Sequence, residues 1–165
     1  MTGKHVGLAL EALAEAEKEL AREYLKVGER HAVEHDVYHL TRTLAQECAS
    51  HADRLTPFLE RYGGVSGAGD AEASEGVLAG LRTRAAQVVG RQPAAGLLLL
   101  RDLRRLYVMA EECSIDWTIV GQAAQAARDR ELLETVSECH GQTLMQVKWL
   151  TTRIKEAAPQ TLVTG

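Results

Sequence analysis

Glu17 and His51 sit within the apolar stripes of this 165-residue chain, and Glu47 lies on the flank of the same face as His51. Two carboxylates and an imidazole that meet in an apolar interior can do one of a few things. They can neutralise one another as a buried ion pair, hold a metal ion, or bind a small polar ligand. An unpaired buried polar group is costly, so some such arrangement has to exist. Four more candidates lie near the stripes of the helix-forming segments: Cys48, Cys139, His140 and Thr143.

The positions of these residues follow from helical periodicity. One stripe runs Val6, Leu10, Leu13, Glu17, Leu20, Tyr24, Val27, His31. A second runs Val37, Leu40, Leu44, Cys48, His51, Leu55, Phe58, Tyr62. Steps of three and four put each set on one face of an α-helix. A turn at Val33-Glu34-His35-Asp36, with Asp36 as N-cap, joins helices over about 5–32 and 36–62. Glu17 and His51 then lie at similar distances from the turn, hence at one level of an antiparallel pair. Glu47 lies one turn back on the flank of the same face.

Gly63-Gly64 ends the second helix. Residues 63–76 are rich in Gly, Ser, Ala and Asp and read as a loop. A short amphipathic helix over about 75–89 uses Val77, Leu78, Leu81, Ala85 and Val88, and Gly90-Arg91-Gln92-Pro93 closes it. Pro93 suits the start of a third helix over about 94–127. The turn Arg128-Asp129-Arg130, with Asp129 as cap, leads to a fourth helix ending near Ala158 before Pro159.

The third stripe is Leu99, Leu103, Leu106, Ala110, Cys113, Trp117, Val120, Ala124, each 93 positions after its counterpart in the first. The fourth is Val136, His140, Thr143, Val147, Leu150, Ile154, each 92 positions after Leu44, Cys48, His51, Leu55, Phe58 and Tyr62. A constant offset reads as two hairpins with one packing pattern. The short turns make each hairpin antiparallel, and the long segment between them is enough to return along a helix.

Composition narrows the functional classes. Net charge is −4 and the isoelectric point about 5.9, which argues against a broad nucleic-acid surface. No apolar run is long enough to cross a membrane, and Met1-Thr2-Gly3-Lys4 leads into an amphipathic pattern without a signal peptide. A cytoplasmic location is expected. Cys48, Cys113 and Cys139 show no CxxC spacing and read as small buried thiols. His31, His35 and His39 repeat every four residues, but the turn and the Asp36 cap fall among them, so they read as surface or turn histidines. No phosphate loop, nucleophile elbow or Ser/His/Asp arrangement occurs.

Two short-turn hairpins with one long crossover resemble the ferritin-like four-helix bundle. The second half, with Glu138-Cys-His-Gly-Gln-Thr143, Gln146-Val147 and Leu150, is similar to the small YciF-type members. The expected fold is all-α: a single ferritin-like domain with hairpin one at 5–62, a crossover at 63–93 containing a short helix, and hairpin two at 94–158. Di-iron members take one Glu from each of two helices and a Glu-x-x-His from each of the other two. The resemblance puts Glu17 in the first role and Glu47 with His51 in the second, at i, i+4 instead of i, i+3. Both spacings keep the side chains on one face. The second half departs from the pattern. Ala110 stands opposite Glu17 in the repeat, and Cys139 and Thr143 stand opposite Glu47 and His51. Glu111, Glu112, Asp116 and Glu138 point away from the stripes.

Three readings of the cluster stay open. One is a buried Glu17–His51 pair completed by Glu47 and His140. Another is a single Fe, Mn or Zn ion held by Glu17, Glu47 and His51 with help from His140 or Cys139. The third is a non-metal ligand in the bundle centre or a different helix register. The corresponding functions are a non-catalytic structural or interaction module, expected as a homodimer or with a protein partner, and a metal-binding oxidative-stress protein.

Overall fold

The computed structural model describes residues 3–63 and 94–164. Four long helices account for almost all of them: α1 (Lys4–Arg30), α2 (His35–Arg61), α3 (Ala95–Ala126) and α4 (Arg130–Pro159). A single π turn, Gln160–Thr164, follows α4. The short helix expected at 75–89 and the loop at 64–76 lie outside the described residues.

Each helix buries the stripe its spacing specifies. Leu10, Leu13, Leu20, Tyr24 and Val27 of α1 are fully buried, as are Leu55 of α2, Leu103, Leu106 and Trp117 of α3, and Leu132 and Leu150 of α4. Large aliphatic side chains of this kind contribute about 1.5–3 kcal/mol each on burial. All three cysteines are buried and free.

Local chemistry sets the helix ends. The Asp129 side chain caps α4, accepting from the Leu132 amide at 3.1 Å, as the sequence predicts. The α3–α4 turn closes by Arg128 adopting φ 57°, with the Asp129 amide donating to the Ala124 carbonyl at 3.0 Å. The first turn differs from expectation. α2 begins at His35 with Glu34 as N-cap residue and no side-chain capping bond. Asp36 instead lies in the first turn of α2 and accepts from Arg153 Nε at 2.8 Å. A cross-helix ion pair takes the carboxylate that the local pattern assigned to capping.

Ion pairs at the helix ends fix the directions. Arg30 and His31, where α1 ends, meet Asp102 near the start of α3. Arg61 and Tyr62, where α2 ends, meet Asp129 at the start of α4. Arg153 near the end of α4 meets Glu34 and Asp36 at the start of α2. So α1 is antiparallel to α2 and α3, α4 is antiparallel to both as well, and α2 and α3 run the same way. The chain leaves α2 at one end of the bundle and enters α3 at the other.

One close approach controls the first hairpin. Gly28 of α1 faces Thr41 of α2, and a Cβ there would run into the Thr41 hydroxyl. That hydroxyl donates back to the Val37 carbonyl at 2.7 Å. Gly121 of α3, 93 positions on, similarly faces Val136 of α4.

Candidate functional site

Midway along the bundle all four helices contribute polar atoms to one layer. α1 supplies Glu17, which is fully buried. Its Oε1 accepts two hydrogen bonds, from Trp117 Nε1 of α3 at 2.7 Å and from His51 Nδ1 of α2 at 3.3 Å. The Trp117 and His51 rings meet edge to face, with centroids 5.9 Å apart. The second ring nitrogen of His51 contacts Gln142 Oε1 of α4 at 2.6 Å. A single hydrogen-bonded path therefore runs from Trp117 through Glu17 and His51 to the exposed Gln142. Glu17 Oε2 is the exception: it is buried and has no hydrogen-bond partner among the described residues.

The electrostatics follow from this geometry. Burial alone pulls His51 toward its neutral form. The hydrogen bond and charge of Glu17, the bond to Gln142 and the charge of Glu47 outweigh burial and hold its pKa above the usual imidazole value. With carbonyl and carboxylate oxygens on both sides, the charged ring has an acceptor for each N–H. Cys48 beside this layer goes the other way. Burial and the neighbouring Glu17 drive its thiol far above the ordinary range, which leaves it inert as a nucleophile. Cys113 behaves alike, and burial pushes Cys139 up to about 11 against the pull of Arg54.

A second polar knot lies one turn away. Gln146 of α4, almost wholly buried, accepts from the Tyr24 hydroxyl at 2.9 Å and donates to Glu47 Oε1 at 2.8 Å. Its amide also lies 3.6 Å from Cys48 Sγ. Thr143, between Gln142 and Gln146, turns its hydroxyl back to the Cys139 carbonyl at 3.0 Å.

Glu17 and His51 meet as the stripes predict, and Cys48, Cys139 and Thr143 are core residues. Glu47 is half-buried and tied to Gln146, so it completes a neighbouring knot instead of the Glu17–His51 pair. His140 is separate: its Nε2 pairs with Ser114 Oγ at 2.9 Å on the α3–α4 seam. Its ring belongs to that seam because Ser114 and Gly121 mark the side of α3 that packs on α4. Among the described residues, no group of three or more His, Cys, Asp and Glu side chains stands together in a way that could hold a metal ion. Glu138 is exposed and pairs with Arg54 at 2.6 Å, as its position on the helix predicts. That ion pair borders a groove of about 410 Å³ between α2 and α4, lined by Arg54, Pro57, Phe58, Glu131, Glu134, Thr135 and Glu138.

His31 corrects the sequence expectation outright. It is buried, with Nε2 2.8 Å from Asp102 Oδ2, whereas His35 and His39 are exposed. Asp102 also takes Arg30 at 3.1 Å, and the buried Glu23 takes Arg105 at 3.1 Å. Asp102 lies on the flank of the α3 stripe and next to Leu103. A flank assignment alone does not reveal that α1 covers it. Trp117, Gln142 and Gln146 were also missed as partners. Their signal was present: Trp117 shares the level of Glu17, and Gln146 follows Thr143 by one helical step.

No family model, no curated protein and no solved structure matches this chain.

Proposed function

We propose that this chain is a ferritin-like bundle whose centre is a hydrogen-bonded polar core, and that it works as a non-catalytic structural or interaction module. One observation carries the reading: Glu17 Oε1 is taken by both Trp117 and His51, donors from two different helices. The residues present do not fit a di-iron centre. Ala110, Cys139 and Thr143 supply no carboxylate or imidazole, and His140 is held by Ser114. Parallel α2 and α3, with the chain leaving α2 at one end of the bundle and entering α3 at the other, support the one-crossover topology of ferritin-like folds.

A structural core makes a definite thermodynamic pattern. Replacing Glu17 or His51 singly by Leu strands a buried partner and is expected to cost about 3–5 kcal/mol in urea unfolding. The double replacement is expected to cost clearly less than the sum, because the stranded charge is gone. Additive losses would contradict a coupled pair.

The buried, unpartnered Glu17 Oε2 favours a second reading, in which Glu47 turns from Gln146 toward Glu17 and His51 and the three hold one Fe, Mn or Zn ion. That ion would bind only the folded state and raise Tm. A rise on adding Zn(II) or Mn(II) that disappears in Glu17→Ala would favour it over the structural core.

A further inference from the structure

The outer face of α3 is apolar where a solvated face would be charged. Leu97, Val108, Ile115 and Ile119 are between 41% and 56% exposed. At 100° per residue all four fall within about 20° of the line opposite the buried seam of α3. The charged residues on this face divide by sign about Val108. Arg101, Arg104 and Arg105 precede it, and Glu111, Glu112 and Asp116 follow it.

We propose that α3 pairs antiparallel with α3 of a second copy of this chain, about a two-fold axis beside Val108. This names the partner of the interaction module and rests on that reading. Residues equally far before and after Val108 then come to one level. Leu97 meets Ile119 of the other copy, Val108 meets itself, and basic positions meet acidic ones. Flanks match as well. Arg104 and Glu111 share one edge of the stripe, and Arg105 and Glu112 share the other, so the two-fold axis joins each edge to its like. A parallel pairing would stack arginine on arginine. Arg104 and Glu111 are exposed and have no ion pair among the described residues, whereas Arg105 already reaches Glu23. Glu112 and Asp116 are like charges one turn apart on one helix, an unfavourable spacing that nearby cations offset. Burial and the charge of Glu112 raise the Asp116 pKa accordingly. The contact is isologous and closes at two subunits. The stripe is ~33 Å long at the helical rise, a small interface, so association should depend on concentration.

Sedimentation equilibrium of the full chain tests this. The wild type is expected to form a reversible dimer. Arg104→Glu and Glu111→Arg should each weaken it at least about tenfold through like-charge contact. The R104E/E111R double variant should restore it, because each copy then presents the exchanged pair to the other. Val108→Glu should abolish the dimer without changing the helical signal or Tm of the monomer. A wild type that stays monomeric at its highest soluble concentration would overturn the proposal. So would single reversals that leave the dimer constant unchanged, or a Val108→Glu monomer that melts early because its own chain covers that face. Metal uptake bears on the non-catalytic reading alone: a dimer of this geometry that also holds metal would defeat that reading and leave the pairing intact.

Discussion

Glu17 gives one oxygen to two donors and leaves the other without a partner, and the properties of the central layer follow from that division. The charged form of His51 is stabilised by Glu17 and Gln142 against the pull of burial. Its folded pKa lies above the unfolded value of about 6.5. The stability it contributes is therefore fully present below that unfolded value and is lost as pH rises through the higher folded pKa. In urea unfolding between about pH 5.5 and about pH 8.5, the stability difference between wild type and His51→Gln should be largest at the acid end and shrink toward the alkaline end. A difference that grows with pH would mean that His51 is neutral in the fold. The Glu17–His51 pairing was legible in the sequence because both break an apolar stripe at one level. The Trp117 donor was legible only in its level, because an indole in a stripe gives no sign of where its N–H points.

At the scale of the helices, close contacts and caps matter more than propensity. Gly28→Ala would drive a methyl into the Thr41 hydroxyl and is expected to cost about 1–3 kcal/mol. Adding Thr41→Ala should recover much of that loss, and thermal melts of the two variants would show it. Failure of the second change to help would place the cost elsewhere in the hairpin. Asp129→Ala removes the cap of α4 together with contacts to Arg61 and Tyr62, with an expected loss of about 1–2 kcal/mol. A neutral result would mean that neither the cap nor the α2 contact contributes. The four long helices were readable from their three-and-four spacing to within a few residues at each end. The Asp129 cap was readable from its position before an apolar run. Asp36 looked equally good by the same rule, yet Arg153, which is 117 positions away, claims its carboxylate. Local patterns carry no information about such a distant competitor.

At the scale of the molecule, burial of polar groups divides into layers. The Glu17 layer lies midway along the bundle, the Gln146 knot is one turn from it, and the Asp102 group with His31, Arg30 and Arg101 lies near the α1–α3 end. The repeat with offsets of 93 and 92 was legible because it is written in apolar residues. The polar layers break that repeat, since Glu17 answers to Ala110 and His51 to Thr143, so the further partners of this pair, Trp117 and Gln142, come from the other hairpin and could not be found by matching the halves. This asymmetry is the ground for reading the centre as a polar core. The most direct test is elemental analysis by mass spectrometry after anaerobic incubation of the full chain with Fe(II), Mn(II) or Zn(II) and desalting, with Glu17→Ala treated alongside. The account predicts that wild type keeps no more of any metal than the variant does. Near-stoichiometric metal in wild type that is lost in Glu17→Ala would contradict it and make Glu17 a ligand.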